Sequence, residues 1–433
     1  MKKKVILLSF DALHASDRSI IEKLPHFSKL LSGCALGKTV KGVYPSHTYT
    51  THASVITGVH PDKHGITSNY IPTPGDRKPD WYWQYKHLQS PTLLGLAKEK
   101  GLKTATFLWP VTARGPQNYN IPEIWDPKKK KNQILLSLIH GSPLFLLSIN
   151  QKYGKYRRGT EHPELDVFTM KSVLDLISKK DLDFVLVHLA DVDTHRHYYG
   201  TDSDESRKAL ERLDSHLGDL LNLLKSKREL SSTDIIIFGD HGFLDIHQNI
   251  NINSHFHKKG WLTFNQEGTL DSWRVWAHSC EGSCHIYINE KENPSFTDEV
   301  YEEIHRLVTD SSSGIERIYR PKDFSDLHLQ NGFSLILEGK KGYSFTPDWD
   351  LPLYSPVEKD PENKVSVAVH GYHPDKEGYR SLFLATGPSF KKGASVEEMR
   401  IIDIAPTIAE ILNLPLPNAD GRVLDELLED PHA

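Results

Sequence analysis

Five short apolar runs, each ending abruptly in polar residues, constrain this chain more than any other feature. They are Val5–Phe10 before Asp11, Thr104–Leu108 before Trp109-Pro110, Phe184–Leu189 before Ala190-Asp191, Ile235–Phe238 before Gly239-Asp240, and Leu382–Ala385 before Thr386-Gly387. A continuous apolar run of about 4–8 residues has no polar face, so as a strand it must be covered on both sides. Helix-period segments lie between the runs: Thr92–Lys100, Val167–Ser178, Glu205–Lys225 and Ile402–Leu412. This alternation predicts an α/β fold, a doubly wound and mostly parallel sheet with helices on both faces. Ligands bind beyond the carboxyl ends of such strands. The polar residues that follow each run are therefore the first candidates for function.

Between residues 250 and 365 the pattern changes. Ser283–Asn289, Thr297–Val308 and Ser334–Leu337 predict a small α+β insertion, and the Pro- and charge-rich Tyr354–Asn363 reads as a linker or loop. The expected organisation is a catalytic core over 1–249, the insertion over 250–365, and the rest of the core over 366–433. Within the first part, 110–165 is irregular and reads as a cap region. A chain of 433 residues buries enough core to fold without disulfide or metal staples.

The 52 basic residues against 57 acidic ones give a net charge of -5, which excludes a generally cationic nucleic-acid binder or a polybasic membrane protein. No nucleic-acid polymer is expected as partner. The basic run Lys128–Lys131 reads as a solvated face. The Leu-rich stretch Ile134–Ile149 carries His140, Gly141 and Pro143 and falls short of the ~20 apolar residues of a membrane span. It reads as a broken, buried or cap-lining segment. Val5–Phe10 is shorter than a signal-peptide core of about 7–15 residues, so the expected location is cytoplasmic. Three cysteines, Cys34, Cys280 and Cys284, stand against 24 histidines. Any metal site should therefore use His and carboxylate, which suits zinc or manganese.

Five segments carry chemistry. Asp11 follows a buried strand, where a carboxylate is ordinarily a helix cap. Asp240 and His241, flanked by Gly239 and Gly242, can aim at one cation from a tight turn. In Asp191–Gly200, the pairs Asp191/His195 and Asp193/His197 are both four apart, and spacing does not choose between them. His370 precedes Gly371 as a lone histidine. Tyr44–His52 is a hydroxyl-rich loop entering a helix, whose N-terminus favours bound phosphate. Each has an ordinary structural explanation. Together they fall in order at predicted strand ends of one sheet. They suffice for two metals and a nucleophile, an arrangement that suits phosphoryl transfer. Cys280–His285 reads as a small-residue turn entering a strand.

These motifs resemble the alkaline phosphatase superfamily, nearest to its nucleotide pyrophosphatase/phosphodiesterase branch. The resemblance rests on SFDAL (9–13), YPSHTYTTHASVITGVHPDKHGI (44–66), DTHRHYYG (193–200), FGDHG (238–242) and HGY (370–372), with ADGRVLDELL (419–428) at the end. It implies an alkaline-phosphatase-like fold with Thr48 as nucleophile. Asp11, Asp240 and His241 then match the ligands of one metal, with Thr48 beside it, and Asp193, His197 and His370 match those of the other. The family frame of Asp, His four on, and Gly three further selects Asp193/His197/Gly200. Asn69 matches an amide that binds a non-bridging phosphate oxygen. Tyr49 matches an aromatic position that stacks on a nucleobase. Three positions depart from the family. Thr50-Thr51 stand where it often has Pro-Asn, and His188 stands where it often has Tyr on the substrate.

The implied activity is metal-dependent hydrolysis of a phosphodiester or pyrophosphate bond through a phospho-threonine. Two divalent ions, zinc or manganese, are the implied cofactors, and a small phosphate ester, a nucleotide among the candidates, is the implied substrate. The alternatives are a phosphomonoesterase, a phosphonoacetate-type hydrolase, a phosphomutase, or an inactive metal-dependent binding protein.

Overall fold

Strand Lys4–Phe10 places its side chains alternately in two cores. Ile6, Leu8 and Phe10 share one core with Val173, Leu176, Leu213 and Leu217 of helices Glu164–Lys179 and Asp204–Ser226. Val5 and Leu7 share the other with Val55, Leu94 and Ile408 of helices Thr48–Thr57, Leu93–Glu99 and Ile404–Leu412. Each such side chain contributes about 1.5–3 kcal/mol by leaving water, so a polar residue on either face of the strand would be costly. The computed structural model describes residues 3–128, 132–290, 293–310, 313–330 and 332–430. Lys129–Lys131 of the basic run lie outside them, and Lys128 pairs with Asp76.

The central sheet has eight strands, in the order Ser395–Arg400, Ala35–Lys41, Ser381–Thr386, Thr233–Phe238, Lys4–Phe10, Phe184–Leu189, Thr104–Phe107, Tyr119–Ile121. It is doubly wound and mostly parallel. The exception is the run Leu382–Ala385, which lies in a strand antiparallel to both its neighbours. Burial on both faces, not strand direction, removes the polar residues from it. Strands Ala35–Lys41, Tyr119–Ile121 and Ser395–Arg400 carry no comparable apolar run and were not foreseen.

Within 250–365, strands Val275–Cys280, Ser283–Ile288, Leu335–Gly339 and Ile315–Tyr319 form an antiparallel sheet. Helix Pro294–Thr309 packs in its own core of Trp276, Ile286, Phe296, Val300 and Leu337. Strand Leu244–Ile250 runs across the 249/250 division. It pairs with Gly342–Phe345, Tyr354–Pro356 and Ala368–Val369. The expected linker Tyr354–Asn363 therefore begins as a strand.

The Leu-rich stretch forms two helices, Gln133–His140 and Pro143–Tyr153, broken at Gly141-Ser142. It is buried on one side only: Leu146 and Ile149 join the core, whereas Leu144 is 85% exposed and Leu135 56%. Its inner side, with Leu138 and Leu146, roofs a cavity of about 160 Å³. Among the described residues no helix is long and apolar enough to cross a membrane.

Candidate active site

Parallel pairing of Lys4–Phe10 with Thr233–Phe238 brings the residues after each strand together. His241 Nε2 lies 3.2 Å from Asp11 Oδ1 and 3.4 Å from Asp240 Oδ2. Asp240 Oδ1 accepts the N–H groups of Ala12 and His241, both at 3.0 Å, so Oδ2 is left for another partner. Gly239 permits the turn, because a Cβ there would lie 1.9 Å from the Leu13 carbonyl oxygen.

Helix Asp191–Tyr199 supplies the second group, and its rotation resolves the spacing ambiguity. Residues four apart share a helix face. Asp193 Oδ1 and His197 Nε2 approach to 3.6 Å, and His370 Nε2 lies 4.0 Å from the same oxygen. Asp191 points elsewhere. It accepts from Arg212 at 2.6 and 3.1 Å and lies 2.9 Å from His195. Burial raises its pKa, but His195 and Arg212 outweigh that and carry it down to about 2.

All three histidines turn Nε2 inward by using Nδ1–H on a carbonyl: His241 on Gly242, His197 on Ala368, His370 on Ser46. Such outer bonds fix the tautomer of metal-binding imidazoles. The groups adjoin, with the His241 and His370 rings stacked at 3.9 Å.

The electrostatics call for cations. Burial, with Asp193 and Asp240 nearby, pushes the Asp11 carboxyl well above its ordinary range. Burial pushes Asp193 up to about 7, with Asp240 adding to it against the pull of His241. Asp11 Oδ1, Asp193 Oδ1 and Asp240 Oδ2 are buried without a hydrogen-bond partner. Three such oxygens in one place are costly unless a cation satisfies them. Zinc bonds of 2.0–2.2 Å imply ligand separations of about 3.3–3.5 Å in a tetrahedron, near the separations in the first group. The sets Asp11/Asp240/His241 and Asp193/His197/His370 each fit one divalent ion.

Thr48 is the first residue of helix Thr48–Thr57, and its Oγ1 lies 3.2 Å from His241 Nε2. The positive end of the helix dipole thus lies beside the two acid–histidine groups. Asn69 is buried beside it, its Oδ1 accepting the Tyr49 N–H.

Two expected substrate contacts are corrected. Tyr49 is fully buried among Ala53, Ile66, Trp83 and Val111, edge-on to Trp81 at 5.2 Å. It offers no face for stacking, because the loop carrying Trp81 covers it. His188 is likewise buried, with Nε2 2.9 Å from Asp11 Oδ2 and Nδ1 3.0 Å from the Leu108 carbonyl. It orients a candidate metal ligand from behind.

Two residues escaped the sequence. His47 uses both nitrogens, with Nδ1 accepting from the Asn69 N–H and Nε2–H donating to the Cys280 carbonyl. Glu281 enters from the inserted hairpin, with Oε2 3.7 Å from His370 Nε2. In sequence it is one more residue of a Cys-Glu-Gly-Ser turn, and nothing local marks it. A cleft of about 410 Å³ opens beside it, walled by Tyr70, Trp81, Trp125 and Trp276.

The family model described as type I phosphodiesterase / nucleotide pyrophosphatase matches residues 5–373. The chain is similar to the venom phosphodiesterase of Macrovipera lebetinus, 24% identical over 99% of this chain and 45% of that protein. It is 25% identical to human ectonucleotide pyrophosphatase/phosphodiesterase family member 1, over 94% of this chain and 40% of that one. A Bos taurus bis(5'-adenosyl)-triphosphatase is 25% identical over 96% of this chain and 79% of its own length. The chain thus spans about half the length of the first two relatives or less. Human ectonucleotide pyrophosphatase/phosphodiesterase 5 shares the fold, with TM-score 0.69 at 19% identity over 99% of this chain and 100% of that one. So does an inactive threonine-to-alanine variant of the murine protein in complex with AMP, with TM-score 0.67 at 17% identity over the same shares.

Proposed function

Because the chain belongs to the type I phosphodiesterase / nucleotide pyrophosphatase family, we propose that it hydrolyses a phosphodiester or pyrophosphate bond with Thr48 as nucleophile. The observation that carries this reading is the Thr48 hydroxyl at a helix N-terminus, 3.2 Å from His241 and beside the two acid–histidine groups.

Divalent ions, zinc or manganese, held by Asp11, Asp240 and His241 and by Asp193, His197 and His370, supply a lowered hydroxyl pKa and charge neutralisation when bound. Thr48 Oγ1 attacks phosphorus in line. A phosphorus–oxygen bond to the chain forms as the bond to the leaving group breaks. Water then hydrolyses the phospho-threonine and restores the hydroxyl. Asn69 donates from Nδ2 to a non-bridging oxygen, because its Oδ1 is engaged by Tyr49 N–H. The dipole of helix Thr48–Thr57 favours the same anion.

The cations nearest these motifs are used elsewhere. Arg196 is buried against Asp17 and the Ala12 carbonyl, and Lys63 pairs with Asp420. A monoester dianion would call for a cationic side chain on its extra oxygen, so this arrangement favours a diester monoanion. The aromatic wall of Tyr70, Trp81, Trp125 and Trp276 suits a flat arm such as a nucleobase. A cytoplasmic location is part of the proposal, in keeping with three free, buried cysteines, and cell fractionation tests it.

The test is a panel of mono-, di- and pyrophosphate esters with zinc or manganese. Parent protein should favour the diesters, Thr48→Ala should lose turnover while staying folded, and Thr48→Ser should keep part of it. Undiminished turnover in Thr48→Ala overturns the nucleophile. Return of the phosphoryl group to an organic acceptor would indicate a mutase.

A further inference from the structure

Glu281 occupies the tip of the inserted hairpin between strands Val275–Cys280 and Ser283–Ile288. Its φ is +57°, the left-handed region that non-glycine residues rarely adopt. Gly, Asn or Asp would fill such a turn with less strain. A strained Glu here directs attention to what its side chain does.

That side chain points at the second metal group. Its Oε2 accepts the His370 N–H at 3.3 Å and lies 3.7 Å from His370 Nε2. The hairpin grips the same segment twice more. Gly282 N–H donates to the His370 carbonyl at 2.9 Å, and Ser283 Oγ–H donates to the Gly371 carbonyl at 2.7 Å. The contact is close enough that a Cβ on Gly371 would lie 2.0 Å from the Cys280 carbonyl oxygen. His370 is thus set in place by the insertion as well as by the core.

Charge gives the contact a purpose. The first group offers two carboxylates, Asp11 and Asp240, which balance one dication. The second offers only Asp193 with two neutral imidazoles, leaving one positive charge over. Glu281, against His370, is the carboxylate placed to supply the difference, whereas Glu123, whose charge also reaches Asp193, lies against His188 behind the first group. It does not build a third site with His47, whose two ring nitrogens are both engaged.

We propose that Glu281 is the charge-balancing positioning residue of the second metal group. It holds His370, raises that group's affinity for its divalent ion, and makes the site less receptive to a monoester dianion. The inference rests on the two-ion reading above.

Two variants test it. Glu281→Gln keeps an oxygen acceptor for the His370 N–H but removes the charge. Glu281→Gly removes the side chain and relieves the backbone. Metal-free parent and variants are titrated with Zn²⁺ against a chromophoric chelator, with Co²⁺ absorbance reporting coordination. The parent should take up two ions. In both variants the second ion should bind about 10–100-fold more weakly, the range for outer-shell substitutions at metal sites, with the first unchanged. Glu281→Gly should melt no lower than the parent when metal-free. Glu281→Gln should also raise kcat/KM for p-nitrophenyl phosphate relative to bis(p-nitrophenyl) phosphate. Two ions bound with parental affinity in both variants overturn this inference alone, and equal weakening of both ions does the same by showing a general structural role. An unchanged ester ratio overturns the charge argument. Fewer than two ions in the parent overturns the two-ion reading and this inference with it.

Discussion

The backbone N–H of Tyr49 donates to Asn69 Oδ1 at 2.9 Å. That bond ties the amide to the first turn of the helix that begins at Thr48. A second tie runs from the Asn69 N–H to His47 Nδ1 at 3.2 Å, and His47 is the residue preceding that helix. Thr48 and the Asn69 amide are therefore held on one frame. The Asn69 oxygen is engaged, so its Nδ2 hydrogens remain for a substrate.

This frame sets the outcome at Asn69. Asn69→Ala should lower kcat/KM for bis(p-nitrophenyl) phosphate by about 2.7–4 kcal/mol, the effect of losing one oxyanion donor. Asn69→Asp keeps the acceptor for Tyr49 N–H but replaces the donor with a negative charge. It should fold like the parent and be no more active than Asn69→Ala. A near-parental rate in Asn69→Asp would remove the donor role.

Metal removal should abolish turnover reversibly. Chelation followed by zinc or manganese should restore it, and added ion at 100 times its Kd should stabilise the folded chain by about 2.7 kcal/mol. Asp240→Ala should empty the first group and His370→Ala the second, as read by metal analysis. Full activity in metal-free protein would end the two-ion mechanism.

The strand-end residues were legible because their positions follow from patterning. Val5–Leu8 and Ile235–Phe238 are apolar on both faces, so Asp11 and Asp240 emerge near the carboxyl edge. The resemblance then chose Asp193/His197 over Asp191/His195, which spacing left open, and the helix shows why: Asp191 faces Arg212. What stayed hidden depends on packing between distant segments. Tyr49 matches a stacking position in sequence because nothing local reveals that the loop with Trp81 lies over it. Glu281 reaches His370 across 89 residues of chain. Strand Ser381–Thr386 runs antiparallel to Thr233–Phe238 although both carry the same kind of apolar run.

Burial of Tyr49 moves the expected aromatic contact to the cleft wall. Tyr49→Phe should leave KM for a nucleotide or aryl diester unchanged. It should not lower stability, since the phenol oxygen is buried without a partner. Trp125 is 36% exposed and lines the cleft, so Trp125→Ala should fold normally. It should weaken binding of an aromatic arm by about 1–3 kcal/mol, as when a base loses a stacking partner. Parental KM for the aromatic substrate in Trp125→Ala would take stacking away from the cleft wall.

Glu338 gives the fold a pH dependence separate from the metal groups. It lies in strand Leu335–Gly339, 1% exposed, and accepts from Tyr44 O–H at 2.9 Å and His373 N–H at 3.0 Å, with Lys376 Nζ at 3.1 Å. Burial outweighs these donors and pushes the carboxyl up to about 7. Its unfolded value is near 4.5, so between those limits the folded chain holds the proton more tightly than the unfolded one. Stability must then fall as pH rises through the window and level off above it. A displacement of this size corresponds to roughly 3 kcal/mol. Glu338→Gln carries no titrating proton and should lack this slope. In urea unfolding at pH 5 and pH 8, the variant should gain on the parent by roughly that amount at the higher pH. Parallel pH profiles for the two proteins would show that Tyr44, His373 and Lys376 keep Glu338 ionised at both pH values, and would place its carboxyl in the ordinary range.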